Sequence, residues 1–277
     1  MDTFFIRRMV FCYTSHMARE RTFRSEAIVL RRTDFGEADR LLTLYSRDFG
    51  KIKAVAKGAR KPQSRKTGHV EQFMRSNFLF ASGRDIPILT QAEMVQPYAA
   101  LRDDLILTTY AAYLVELLDR FTVEDDKHTG IYQLLADGLG WLTTHEDVLL
   151  VARFYELRLL GLAGFRPQLF HCVACGEPIE ERDQFFSAEL GGILCPNCRE
   201  EDRRAVGITA VSTKVLRYLQ TRPWDTVHNL RLKRAVHTEL ENVMHYYITY
   251  VLERNLKSVE FLHRLRQEAA LLLPPSE

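Results

Sequence analysis

The stretch GKIKAVAKGARKPQSRK, residues 50–66, carries Lys51, Lys53, Lys57, Arg60, Lys61, Arg65 and Lys66 and no acidic residue. Lys51, Lys53 and Val55 alternate with Ile52, Ala54 and Ala56, the period of a strand with one apolar face and one face that starts basic. Gly58, Pro62 and Ser64 then break the period and predict a cationic loop. A strand that runs out into such a loop suits a phosphodiester backbone, which needs spaced positive charge more than shape. The competing reading is a solvated edge strand blunted by lysines.

Outward from this stretch, strand patterns continue in both directions. Ala27–Thr33 and Arg40–Ser46 precede it, separated by the turn signals Asp34-Phe35-Gly36-Glu37 and Asp48-Phe49-Gly50. Val70–Ala81 and Ile86–Gln96 follow as two further expected strands around Ser82-Gly83-Arg84-Asp85. Five short strands in about seventy residues predict a small closed barrel of the OB type, a fold that binds oligonucleotides across one face.

From Pro97, which suits a first helical turn, the period changes. Leu101, Leu105, Ala112, Leu117, Leu118 and Phe121 recur near helical spacing. Further helices are expected over 130–144, 146–162, 212–220, 228–254 and 259–266, with Val236, Leu240, Val243, Met244, Tyr247 and Val251 as one apolar stripe of the longest. Gly161, Gly164 and Pro167 supply the stop after the third helix. The fold class read here is α+β with several domains. A poorly ordered extension is expected at 1–20, with Met17 a second candidate start. A barrel follows at 21–96, then a helical domain at 97–170 and 205–277, with a metal ribbon inserted at 171–204.

That ribbon rests on Cys172-Val-Ala-Cys175 and Cys195-Pro-Asn-Cys198, separated by 19 residues. Two CxxC turns at this separation are a strong signal for tetrahedral zinc, and Gly176 eases the first turn. A shell of four thiolates leaves no open position for water, so the expected zinc is structural. Phe185-Phe186 and the run Gly191–Leu194 predict a hairpin between the two pairs. Cysteines used this way, with Cys12 left without a role, indicate a reducing compartment.

The 277 residues carry a net charge of +2, which hides an asymmetry: residues 1–66 hold 16 Lys or Arg against 7 Asp or Glu. A basic head on a mildly acidic body points to a polyanionic partner for the head. The longest apolar window, Leu105–Leu118, is interrupted by Thr108, Thr109 and Glu116, so no membrane span is expected. The chain has no phosphate-binding GxxxxGK[ST], HExxH, GxSxG or GxGxxG motif. His69, His171 and His237 read as packed or surface groups. Asp103-Asp104, Glu124-Asp125-Asp126 and Glu180-Glu181 read as helix starts or solvated charge. Three classes of function remain: a non-enzymatic nucleic-acid binder, a metal-dependent enzyme that docks nucleic acid through its ribbon, and a scaffold whose basic head takes an acidic protein.

Residues 36–65, GEADRLLTLYSRDFGKIKAVAKGARKPQSR, resemble the bacterial RecO family of recombination mediators. So do QAEMVQ at the end of the barrel, LRDDL at 101–105, LRLLGLAGFRPQL at 157–169, CVACG, and GGILCPNC at 191–198. The resemblance runs in order from about Ser25 to Arg266. It implies an OB-fold followed by a helical domain with a zinc ribbon, and a protein that is not an enzyme. It implies binding of single- and double-stranded DNA, and annealing in DNA repair and recombination that helps RecA replace the single-stranded-DNA-binding protein at gaps and breaks. Implied partners are RecR, the acidic C-terminal tail of the single-stranded-DNA-binding protein, RecF and RecA, in a cytoplasmic, nucleoid-associated setting. Carried onto this sequence, Lys51, Lys53, Lys57, Arg60, Lys61, Arg65 and Lys66 would touch phosphates. Arg31, Arg32 and Arg40 are candidates for the same surface, and Phe35, Tyr45 and Phe49 are candidate stacking platforms. Arg153 or Arg158 would form the basic rim of an apolar notch for the acidic tail.

Overall fold

The computed structural model describes residues 22–61, 63–64 and 67–252. The expectations at 1–20, at Arg65 and Lys66, and at 259–266 lie outside these residues.

Strands β1 (Thr22–Phe35), β2 (Asp39–Ser46), β3 (Gly50–Ala56), β4 (Arg75–Ala81) and β5 (Ile88–Gln96) form a closed barrel in the order β1-β2-β3-β5-β4. All neighbours are antiparallel except β3 and β5, which meet in parallel at Val55 and Ile88. This is the strand order of an OB-type barrel, as the alternation predicts. Residues two apart point inward: Ala27 and Val29, Leu42 and Leu44, Ile52, Ala54 and Ala56, and Phe78 and Phe80 make the core. Alanines on β1 and β3 leave room for the two large rings of β4. Each buried Phe contributes about 1.5–3 kcal/mol. β1 serves both neighbours: its first half pairs with β4 and its second with β2, with a register shift between Val29 and Arg31.

The strand expected to start at Val70 starts instead at Arg75. Phe73 takes φ +71, which no strand residue adopts, and its N–H bonds Val29 O at 2.9 Å while Val29 N–H bonds Met74 O at 2.9 Å. The chain therefore straps across the irregular part of β1 before pairing.

Residues up to Tyr98 cluster with Glu124–Tyr132 as one compact unit. The acids Glu124, Asp125 and Asp126 are exposed, as expected of solvated charge, while the backbone that carries them packs along β3. Asp125 N–H bonds Lys51 O at 3.1 Å, Glu124 bridges to Lys51, and Lys53 Nζ lies 2.5 Å from Glu124 Oε1. Tyr132 donates to Glu26 Oε1 at 2.6 Å, beside Arg75 Nε at 2.5 Å. Burial pushes the Glu26 carboxyl up, but these two hydrogen bonds outweigh it and hold the group below its ordinary value of 4.5.

Gly50 makes this cover possible. It sits at φ +70, and a Cβ there would lie 2.1 Å from Asp126 O. Gly36, at φ +59, has nothing within 4 Å of the same position. Gly50→Ala is therefore expected to lower the melting temperature clearly more than Gly36→Ala, which carries only the left-handed backbone cost of roughly 1–2 kcal/mol. Equal shifts in a thermal melt would contradict the packing of Asp126 on Gly50.

The second unit holds Ala99–Val123 and the residues from Gln133 onward. Its helices are α1 (Ala100–Asp103), α2 (Leu105–Phe121), α3 (Thr129–Thr144, whose first turn counts with the barrel), α4 (Val148–Leu162), α5 (Ala210–Thr221), α6 (Trp224–Val227) and α7 (Arg234–Leu252). Side chains cap the starts of α2, α4 and α5: Asp104 accepts from Leu107 N–H at 2.9 Å, Asp147 from Leu150 N–H at 3.0 Å, and Thr209 from Ser212 N–H at 3.3 Å. Helix α4 is central, buried from Leu150 to Leu160 except at Arg158.

Three expectations change in this unit. Pro97 does not enter a helix, because Tyr98 takes φ +44 and the first turn begins at Ala100. Leu105 is 58% exposed rather than part of the apolar stripe. The helix expected from His228 to Arg254 starts later, at Arg234, after a separate short helix α6 that ends at Val227. The His228 carbonyl at the break is bound by His145 Nε2 at 2.8 Å, a side-chain partner in place of the next helical N–H.

Candidate nucleic-acid interface and metal centre

The basic loop leaves β3 at Ala56 and folds against the β1–β2 turn. Gly58 N–H bonds Asp39 Oδ1 at 2.8 Å, and Arg60 N–H bonds Ala38 O at 2.9 Å. These contacts hold Lys57, Arg60 and Lys61, all exposed, beside the exposed end of β1 that carries Arg31, Arg32 and Phe35. The exposed cations are partly balanced by local acids: Arg60 Nε lies 3.5 Å from Asp34 Oδ2, and Arg32 and Arg40 both reach Glu71 Oε1, at 2.6 and 3.0 Å.

The structure corrects the basic face drawn along β3. Lys51 is buried under the Glu124–Tyr132 segment, so of the two strand lysines only Lys53 is exposed, and it is paired with Glu124. Phe35 is 51% exposed and remains available for stacking. Tyr45 is fully buried, and burial pushes its hydroxyl up to about 12. Phe49 packs on the barrel core, with its ring centroid 5.0 Å from Phe23. Arg153 is buried as well. Its guanidinium lies 2.7 Å from Glu156 Oε1, which also accepts from Tyr113 at 2.5 Å, so it rims no notch. Arg158 is half-buried over the Phe154 ring, 4.8 Å from its centroid. Of the three histidines, His237 packs against Asp147 at 3.1 Å.

The ribbon builds as expected. β6 (Gln184–Ser187) pairs with β7 (Gly192–Leu194) as a hairpin, and β8 (Val206–Ile208) adds to the other edge of β6. In the first cysteine turn Gly176 N–H bonds Cys172 O at 2.9 Å with Gly176 at φ +78; in the second, Cys198 N–H bonds Cys195 O at 3.0 Å. The sulfurs of Cys172, Cys175, Cys195 and Cys198 all lie within 4.8 Å of one another, with Cys175 and Cys195 at 3.9 Å. Metal–sulfur bonds of about 2.3 Å at tetrahedral angles would set neighbouring sulfurs about 3.8 Å apart, while a disulfide needs about 2.05 Å. The donor set therefore fits a metal ion. Burial pushes the Cys172 thiol up, but backbone N–H groups of Cys175, Cys195 and Ala174 outweigh it and bring it down to about 6. The Cys195 N–H reaches this sulfur at 3.3 Å. Such hydrogen bonds favour the thiolate that a metal requires.

Two family models match the chain: Recombination protein O N terminal over residues 17–98, and Recombination protein O C terminal over 102–260. The chain belongs to the RecO family. Among its relatives, a DNA repair protein RecO of Roseiflexus sp. (strain RS-1) is 39% identical over 93% of this chain and 91% of its own length. The proteins of the same name from Desulforamulus reducens and Desulforudis audaxviator are 37% and 39% identical over 88% of this chain and 94% and 97% of theirs. Both halves of the RecO pattern, barrel and helical unit, are thus matched in order. Among the described residues, no helix is long and apolar enough to cross a membrane.

Proposed function

We propose that this RecO family member serves DNA repair as a DNA-binding and strand-annealing recombination mediator that works by binding alone. It helps RecA replace the single-stranded-DNA-binding protein at gaps and breaks. The observation that carries the reading is the exposed cation group Lys57, Arg60 and Lys61, held by the β1–β2 turn on an OB-type barrel in a chain matched by both family models. Arg31, Arg32 and Arg40 extend this surface, Arg65 and Lys66 continue it in sequence, and Phe35 offers a ring to a base. Lys51, being buried, drops out of the phosphate-contacting set, while Lys53, exposed and balanced by Glu124 as Arg32, Arg40 and Arg60 are by their own acids, stays in it. The partners proposed are single- and double-stranded DNA, RecR, the acidic tail of the single-stranded-DNA-binding protein, RecF and RecA, in the cytoplasm and around the nucleoid. Zinc held by Cys172, Cys175, Cys195 and Cys198 would brace the ribbon and take no part in chemistry.

Each phosphate neutralised on a single strand contributes roughly −0.7 to the log–log salt slope. Changing Lys57, Arg60 and Lys61 together to glutamate should therefore flatten the slope by roughly 2 and weaken binding sharply, with the circular dichroism spectrum unchanged. Unaltered affinity and slope in the folded triple variant, read by anisotropy of a labelled oligonucleotide, would remove this surface from the account.

A further inference from the structure

The helical unit carries a second group of cations, and it differs from the barrel's in one respect. The barrel arginines Arg32, Arg40 and Arg60 each face a carboxylate. Among the described residues, no carboxylate pairs with Arg158, Arg166, Arg222 or Arg231. The partners they reach are neutral: Arg158 donates to the Arg222 carbonyl, Arg166 to Gln220 Oε1 at 3.4 Å, and Arg231 to the His228 carbonyl at 3.5 Å. Burial, and then the neighbouring Arg166, lower the proton affinity of the Arg158 guanidinium, as like charges brought together without a counter-ion must.

These arginines run beside an aromatic cluster. Arg158 lies over Phe154, Phe154 meets Trp224 at 5.3 Å, and Trp224 stacks on Trp141 at 4.6 Å and 22°. His145 meets the Trp224 ring at 5.2 Å, and beyond it an open depression of about 510 Å³ is lined by His145, His228 and Arg231 together with the acids Glu146 and Asp147, of which Asp147 faces His237. Trp224 is half-buried, while Arg166, Arg222 and Arg231 are exposed. Glu146 in the depression and Asp225 next to Trp224 are exposed, so the guanidiniums outnumber but do not exclude acids here.

We propose that this strip, Arg166–Arg222–Arg158–Trp224–Arg231, is a second single-stranded nucleic-acid contact, separate from the barrel loop. It rests on the reading of the chain as a DNA binder. Spaced guanidiniums take phosphates and the accessible part of Trp224 takes a base, the combination by which single strands are held without sequence preference. An acidic peptide with an apolar end would meet the same charge and rings, but guanidiniums spaced on both sides of a half-buried ring suit repeating phosphates and bases better than one carboxylate cluster. The peptide is the opposing arm of the test. A binder with two strand contacts can present one strand to another.

The chain contains two tryptophans, and both lie here, so their emission reports on this strip directly. Titrating the full-length protein with a thymidine oligonucleotide should change tryptophan emission, and salt should reverse the change. In Arg166→Gln/Arg222→Gln, both exposed positions, the response should shrink and the salt slope flatten by roughly 1.4. Adding Arg158→Gln should abolish the response. The barrel variant Lys57→Glu/Arg60→Glu/Lys61→Glu should keep the full amplitude at a higher oligonucleotide concentration. Oligonucleotide binding seen by anisotropy without any change in tryptophan emission overturns this inference and leaves the barrel reading standing. So does an emission change produced by a glutamate-rich peptide but not by the oligonucleotide. No binding by either readout overturns both.

Discussion

Stripping the metal should collapse the ribbon before anything else in the molecule. The segment from Cys172 to Val206 is short, and without a metal its two cysteine turns are joined only by hydrogen bonds such as Cys195 N–H to Cys172 Sγ and by sulfur contact. Binding to a site that exists only in the folded state becomes folding free energy, and for structural zinc in small peptides this is about 10–16 kcal/mol. A strong chelator, or Cys172→Ser, is expected to release one equivalent of zinc and to expose the chain around 172–206 to protease. The barrel core contains none of these residues, so its hydrogen-exchange protection should persist. Zinc analysis and limited proteolysis check this. Full protease resistance in a metal-free protein would contradict a metal-braced ribbon.

The second large effect is expected at the buried pair of α4. Arg153 and Glu156 are 4% and 1% exposed, and Tyr113 from α2 adds its hydroxyl to the same carboxylate oxygen. Removing one member leaves an uncompensated charge in the helical core, so Glu156→Ala should cost about 3–5 kcal/mol. Arg153→Leu/Glu156→Leu removes both charges and should cost far less, because the desolvation penalty disappears with the attraction. Burial pushes the Glu156 carboxyl up to about 7 against the pull of Arg153. A carboxyl whose folded value lies above its ordinary 4.5 stabilises the fold fully below 4.5, and this contribution is lost as pH rises toward 7. That loss should be absent in Glu156→Gln. Urea unfolding of the single and double variants decides the matter, and a Glu156→Ala cost below about 1 kcal/mol would contradict the burial argument.

What could be read in the sequence was local. The alternation of Ile52, Ala54 and Ala56, and of Phe78 and Phe80, fixes strands and their inner face because the side-chain period belongs to the strand itself. The two CxxC turns are equally local, and their spacing was enough to bring the four cysteines into one cluster. What escaped was set by distant chain. Lys51 looks like a solvated lysine until the segment at Glu124–Asp126 returns to cover it, and Gly50, which reads in the sequence only as a turn residue, proves to be the point of close approach, with positive φ and no room for a Cβ. Arg153 has the spacing of a surface arginine, but α4 is buried nearly all round and the charge finds Glu156 one turn away. The late start of the last helix was hidden for the same reason: the His145 side chain that takes the His228 carbonyl lies 83 residues earlier.

The mediator reading asks that strands be brought together on binding energy alone. The measurement that tests it most directly is annealing of complementary single strands by the purified protein without nucleotide. Bare strands are compared with strands coated by the single-stranded-DNA-binding protein, with and without its acidic tail. The account predicts annealing without ATP, and a much larger slowing on coated strands when the tail is deleted than any change on bare ones. A strict ATP requirement, or equal rates on tailed and tailless coats, would contradict it.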